Sequence, residues 1–308
     1  MSDQDVETNE EDSETRCGFV AIVGRPNVGK STLLNHMLKQ KISITSRKPQ
    51  TTRHRILGIS TENGAQCLFV DTPGLHAPTG KAINRVMNDT VHNVIKDVDV
   101  VLFVVERFIW NDADERVLEA LKYSEVPVLL IINKIDLVKD KAQLLPHIAE
   151  LSSKRQFAEI VPVSALGGHN LESLEGLIRG YLPKSQFLFP DDQVTDRSSR
   201  FLASELIREK VTRQLGDELP YDVTVEIEKF EQIGPTLHIH GLILVDRKGQ
   251  KRIIVGAEGD RLKQIGTAAR EDMEISFECK VMLHLWVKVK SGWADDERAL
   301  QSLGYSDR

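Results

Sequence analysis

The eight residues Gly24-Arg25-Pro26-Asn27-Val28-Gly29-Lys30-Ser31 constrain this chain more than any others. They follow the apolar run 19–23 and precede a helix-like stretch, 32–39, so strand, glycine-rich turn and helix stand in one order. Glycines permit backbone conformations in which successive N–H groups wrap a phosphate, and the helix N-terminus adds partial positive charge. Lys30 is placed to bridge the β- and γ-phosphates of a nucleotide, and the Ser31 hydroxyl to ligate Mg2+.

Downstream, short β-rich runs at 66–70, 100–105, 128–132 and 160–163 alternate with helix-length segments. This predicts a mostly parallel sheet with helices on both faces over residues 17–181, an α/β fold. The later runs are nearly all apolar, as strands covered on both sides should be. Run 55–60 alternates and is expected to pair beside 66–70 as an antiparallel hairpin strand.

A phosphate loop does not select the base. Asn133-Lys134-Ile135-Asp136, directly after the run 128–132, does. The Asp136 carboxylate suits the N1–H and exocyclic amine donors of guanine, and the Asn133 amide can meet the other edge. Adenine has an acceptor at N1, and such a mismatch discriminates by roughly 10⁴–10⁵. Ser164-Ala165-Leu166 would bring a backbone N–H near guanine O6. Asp71-Thr72-Pro73-Gly74 ends the run 66–70, where Asp71 can hold Mg2+ through water and the Gly74 N–H can sense the γ-phosphate. In Gln50-Thr51-Thr52-Arg53 one threonine is expected to ligate Mg2+, Thr52 in preference to Thr51. These motifs imply binding of GTP and GDP and hydrolysis of GTP. A kinase or ATPase is the rival enzyme class, and the guanine motif argues against it. A pure interaction module is the other rival.

The formal net charge of −6 sits in residues 1–16, where seven acidic side chains face Arg16 alone. That polar run cannot bury enough surface to order itself and reads as a disordered leader without a signal peptide's apolar block. No apolar run is long enough to span a bilayer. Cys17, Cys67 and Cys279 are odd in number and widely spaced, which fits reduced thiols and a cytoplasmic protein.

Residues 182–199 hold Pro183, Pro190 and Asp191-Asp192 and read as a linker to a smaller α+β domain, 200–308. An amphipathic helix from Phe201, closed by Gly216 and Pro220, leads into strands at 222–229 and 237–247. A strand at 253–255, a helix from Arg261 and a strand at 281–290 complete an α-β-β-α-β order. Gly256-Ala257-Glu258-Gly259 fits the GxxG turn of a KH domain, which lets a single-stranded RNA backbone approach closely. Its variable positions are small and acidic rather than basic, so Lys251, Arg252, Arg261 and Lys263 must supply the attraction to phosphate. His54, His238 and His240 read as loop or strand residues, and Trp286 and Trp293 as packing residues.

With GRPNVGKS, DTPGL and NKID in order before a KH-type half, the chain resembles the KH-domain-containing GTPases of the TrmE–Era–EngA group. The closing stretch 287–305 belongs to that likeness, which covers all but the leader. The resemblance implies a switch protein that binds 16S rRNA near its 3′ end, with no DNA partner, and assists assembly of the 30S subunit. It also implies peripheral association with the cytoplasmic face of the inner membrane. Leu75 stands where many G proteins carry a water-orienting glutamine, so the water must be recruited otherwise. Asn27 stands where relatives ligate K+, or it shapes the loop.

Overall fold

In the computed structural model, residues 15–46, 51–75, 82–214 and 223–302 are described. The acidic leader up to Glu14, Gln50, Gly216 and Pro220 lie outside them. The first half is a six-stranded sheet of order β2-β3-β1-β4-β5-β6. Its strands are β1 (Arg16–Val23), β2 (Ile56–Glu62), β3 (Ala65–Asp71), β4 (Val100–Glu106), β5 (Val128–Asn133) and β6 (Glu159–Pro162). Every pairing is parallel except β2 with β3. Asn63 and Gly64, both at positive φ (52° and 72°), make the two-residue turn that matches the twist of that hairpin.

Both faces of the sheet are covered. On one side α1 (Lys30–Met37) and α5 (Leu171–Tyr181) bury Leu33, Leu34, Leu174 and Ile178 against Val20, Ile22 and Leu102. On the other, α2 (Ala82–Lys96), α3 (Asp112–Ala120) and α4 (Leu144–Ser152) bury Val91, Val117 and Leu151 against Ala21, Phe103 and Leu130. Strands covered twice have no polar face, which is why their sequences are continuous apolar runs. Arg16 joins β1 rather than a leader: its Nη1 donates to the carbonyls of Gly180 (3.2 Å) and Leu182 (2.6 Å).

The segment expected to be a linker lies along the sheet. Buried Gln66 holds it, accepting from the N–H groups of Leu188 (2.9 Å) and Phe189 (3.0 Å) and donating to Phe189 O (2.8 Å). Val194 O then accepts from Ile59 N at 2.8 Å.

The second half is a three-stranded sheet, β7 (Val223–Ile233), β8 (Thr236–Val245) and β9 (Lys280–Val289) in that order, with β9 parallel to β8. Helices α6 (Ser199–Gln214), α7 (Lys248–Val255) and α8 (Asp260–Phe277) share a core with it around Ile207, Ile254, Ile265 and Ile239. The expected strand at 253–255 is wrong: those residues close α7. The β-branched trio suggested a strand, but Gln250 accepts from Arg247 N at 2.8 Å at the helix start, and Ile254 enters the core from a helical position. Tertiary packing overrides a weak propensity. The order is therefore α-β-β-α-α-β. A last short helix, α9 (Glu297–Ser302), and Trp293 dock on α2, where Trp293 is buried with Ala82 and Ile83.

Candidate nucleotide and RNA sites

A cavity of about 960 Å3 opens at the C-terminal ends of β1, β3 and β5. Pro26, Asn27, Gly29, Lys30, Ser31 and Thr32 line one wall, and Asn133, Lys134, Asp136, Ala165 and Leu166 the other. The phosphate loop keeps its shape through positive φ at Gly24 (155°), Asn27 (67°) and Gly29 (101°). A Cβ on Gly24 would stand 2.4 Å from Val104 O, and one on Gly29 2.3 Å from Asn133 Nδ2, so neither glycine is replaceable. Buried Val28 anchors the loop in the core.

Lys30 Nζ donates to the loop carbonyls of Gly24 (3.0 Å) and Arg25 (3.1 Å). Burial lowers its ammonium to about 8; the Asp71 carboxylate works against that and the Arg25 charge adds to it. Arg25 itself turns away from the cavity to Glu106 (3.0 Å) and buried Asp114 (3.1 Å). Glu106 also takes Lys134 at 3.1 Å, so one carboxylate joins the phosphate loop to the base loop. Burial would raise the Glu106 carboxyl, but Lys134 and Arg25 hold it below the usual range.

Asn133, expected to meet one edge of the base, stands in the cavity wall. The residue is 2% exposed: Nδ2 donates to Val28 O (2.8 Å), and Oδ1 accepts from Lys134 N (2.7 Å) and Ala165 N (2.9 Å). It ties three loops together at the cavity wall. Asp136 is exposed to the cavity and accepts from Ser164 Oγ at 2.6 Å; that hydroxyl also receives Gly167 N at 2.9 Å. Ile135 is buried beneath the turn and Leu166 stands exposed at the rim.

Four oxygens converge beneath the phosphate loop. Ser31 Oγ lies 2.7 Å from Thr52 Oγ1 and 2.7 Å from Asp71 Oδ2, and Ser43 Oγ donates to the same Oδ2 at 2.8 Å. Asp71 Oδ1 is buried with no hydrogen-bond partner among the described residues. Burial raises the Asp71 carboxyl, with Lys30, Ser31, Ser43 and Thr52 opposing. An oxygen-only donor set with one orphaned carboxylate oxygen fits Mg2+. Of the two threonines, Thr52 is the one beside Ser31. Thr72 Oγ1 donates to Ile22 O at 2.9 Å and Gly74 abuts Pro26, closing the loop after β3. Leu75 is buried in the core.

The GxxG turn joins α7 to α8. Gly256 (φ 74°) and Gly259 (φ 88°) are both left-handed; a Cβ on Gly256 would meet Arg261 Cβ at 2.8 Å, whereas the space over Gly259 is open. Lys248, Lys251 and Arg252 line a groove on one side of the turn with Val255, Gly256 and Val289. Gly259, Leu262, Lys263, Gly266, Thr267 and Arg270 line another with Leu283 and Leu285 of β9. Arg261 turns back to Ile253 O at 2.9 Å, so it braces the turn. The reading of the sequence missed Gly266, Thr267 and Arg270, although their spacing from Leu262 puts them on one helical face. It also missed Ser43 and Glu106, whose partners are remote in sequence.

Comparison with known proteins agrees with this geometry. Residues 19–134 match a family model described as 50S ribosome-binding GTPase, and residues 218–294 match the KH domain model. The GTPase Era of Pseudomonas fluorescens is 64% identical over 293 residues, covering 95% of this chain and 98% of that protein. That of Azotobacter vinelandii is 62% identical over 297 residues, covering 96% and 99%. Among solved structures, Aquifex aeolicus Era bound to GDP and AlF4− superposes with a TM-score of 0.92 at 40% identity, covering 95% of this chain and 100% of that one. Era in complex with MgGDPNP and nucleotides 1506–1542 of 16S ribosomal RNA gives the same TM-score, identity and coverage. By sequence and fold over nearly its whole length, the chain belongs to the Era family of GTPases.

Proposed function

We propose that this protein hydrolyses GTP with Mg2+ as cofactor and, while GTP is bound, grips single-stranded 16S rRNA near its 3′ end to assist assembly of the 30S subunit in the cytoplasm. The observation that carries the reading is one cavity with a base-selecting carboxylate, Asp136, at one end and the Ser31–Thr52–Asp71 oxygens at the other. The Era relative bound to MgGDPNP and 16S nucleotides supports the RNA assignment. The 50S in the description of the matched domain model belongs to a broader family, and full-length likeness outweighs it.

When bound, Mg2+ supplies positive charge against the β- and γ-phosphate oxygens. Ser31 and Thr52 would hold it directly and Asp71 through water. Lys30 leaves the carbonyls of Gly24 and Arg25 for the phosphates and stabilises charge developing on the transferring group. The Gly74 N–H senses the γ-phosphate. Leu75 has no polar atom, so the attacking water is oriented elsewhere, and Asn27 would hold a K+ ion that would add positive charge. In the second half the open space over Gly259 admits an RNA backbone, with Lys251, Arg252 and Lys263 supplying positive charge.

The test titrates labelled RNA of the 16S 3′ end into protein loaded with GDP or with a non-hydrolysable GTP analogue. Tighter binding in the GTP-like state is expected, with Gly259→Asp abolishing it and leaving nucleotide affinity intact. RNA affinity indifferent to both nucleotide and Gly259 would reduce the chain to two unrelated domains.

A further inference from the structure

Three charged side chains of α6 reach from the KH-bearing half to Thr45 and Thr51, which line the nucleotide cavity. Glu209 is fully buried; its Oε1 accepts from Thr45 N at 2.9 Å and Thr45 Oγ1 at 3.3 Å, and its Oε2 takes Lys41 at 2.5 Å. Arg213, one turn on, pairs with Glu209 at 2.9 Å. It donates Nε to Thr45 O at 3.0 Å and Nη2 to Thr45 Oγ1 at 2.9 Å, and it lines the cavity wall. Arg208 is 2% exposed, bidentate to Glu205 at 2.7 and 2.6 Å, and donates to the Thr51 carbonyl. Thr51 directly precedes Thr52, whose hydroxyl lies 2.7 Å from Ser31 Oγ.

The described flanks of the loop that carries Thr52 are thus anchored on a helix of the other half. The fold of that half does not call for these charges. Ala203, Leu206, Ile207 and Val211 already seat α6 in its own core. Buried charges cost several kcal/mol each unless fully paired, so a cluster of them between two halves is a specific arrangement rather than incidental packing. A displaced threonine also matters: a misplacement of about 1 Å in a reacting constellation can lower a rate by roughly 10²-fold.

We propose that Arg208, Glu209 and Arg213 are positioning residues for GTP hydrolysis, setting the Thr45 and Thr51 backbone so that Thr52 meets the metal beside Ser31. Hydrolysis then requires α6 to be seated on the loop, and any movement of the KH-bearing half is felt at the metal. This rests on the GTPase reading above and assigns its regulation to particular contacts.

The experiment uses the full chain and three readouts: kcat for GTP, the Mg2+ midpoint with GTP saturating, and the Kd for GDP. Arg213→Ala removes a side chain that is 46% exposed, so the fold tolerates it. Arg208→Lys keeps the charge but serves only one of Glu205 and Thr51. Each should lower kcat roughly ten- to a hundredfold, the scale of a lost charge-assisted hydrogen bond, and raise the Mg2+ midpoint. GDP affinity should stay within about twofold, since uniform binding is untouched. Parental kcat and Mg2+ midpoint in both variants would overturn the proposal. So would a parallel loss of GDP affinity, which would make these residues merely structural. Lys30→Ala, run alongside, separates the two readings: parental turnover there would sink the GTPase assignment itself.

Discussion

Asp136 faces the cavity with Ser164 as its hydroxyl partner, and on the function proposed above base choice rests on this carboxylate. Asp136→Asn replaces an acceptor by a donor, and competition binding should show GTP affinity falling at least roughly tenfold with a shift toward xanthosine triphosphate. Parental GTP affinity would refute the assignment. Lys30 gives a pH signature. Its ammonium is lowered to about 8 by burial before phosphate arrives, and a bound phosphate raises it again. Binding therefore takes up a proton above that pH, so GDP affinity should hold steady near neutrality. Above about pH 8 it should decline, with a limiting slope of about tenfold per unit. If Asn27 holds a monovalent ion, turnover should be faster in K+ than in Na+ at equal ionic strength, and equal rates would remove that role. Lys30, Ser31 and Asp136 were picked out in the sequence by their chemistry, and the structure brings them to one cavity. Asn133 was legible only in part. An amide says that it bonds, not that its partners are Val28, Lys134 and Ala165, two of them on loops far away in sequence.

The hairpin of β2 and β3 was readable from the alternation of run 55–60, and the Asn63-Gly64 turn, a signal left unused, agrees with it. Helix α7 was not, because three β-branched residues pointed one way and packing against β8 and β9 decided the other. That the linker expected at 182–199 packs along the sheet was not legible, because its anchor, Gln66, lies more than a hundred residues earlier in a strand. Gln66 also receives the Cys17 thiol at 3.6 Å and donates to Thr61 Oγ1 at 2.9 Å, so its amide is fully satisfied. Gln66→Ala would leave the Leu188 and Phe189 backbone groups without those partners, at about 1–3 kcal/mol for each group that stays buried. A lower Tm and faster proteolytic cleavage within 184–192 should follow, with nucleotide affinity unchanged. An unaltered Tm would show that the linker is held by Phe187 and Phe189 packing alone.

Among the described residues the halves meet at one front where Lys41, Thr45, Thr51 and Arg53 contact α6, Asp272 of α8 and Val223 of β7, and at another where the Trp293 segment lies on α2. Neither was visible in the sequence, since both depend on how two independently patterned cores come to lie side by side. Trp293 is 1% exposed, and truncating a buried tryptophan costs about 3–5 kcal/mol. Trp293→Ala should keep GTP binding but loosen the second contact, enlarging the molecule in solution scattering and narrowing the gap in RNA affinity between GDP- and GTP-loaded protein. An unchanged scattering profile would relegate this contact to local packing.

The meeting of Arg16 with Lys184 across an antiparallel bridge, reinforced by Thr15 Oγ1 on Ser185 O at 2.8 Å, closes the first half on itself. On a translating ribosome this gives the protein a history. Synthesis runs at about 5–20 residues per second and domains fold as units, the N-terminal one first. The nucleotide-binding sheet can therefore close while α6 and α8 are still being made, and for several seconds the nascent chain is a GTP holder without Arg208, Glu209 or Arg213. A chain ending at residue 198 should accordingly fold and bind GDP. Competence to hydrolyse would arrive last, together with the half that holds RNA, so a truncated product of interrupted synthesis would occupy nucleotide without consuming it.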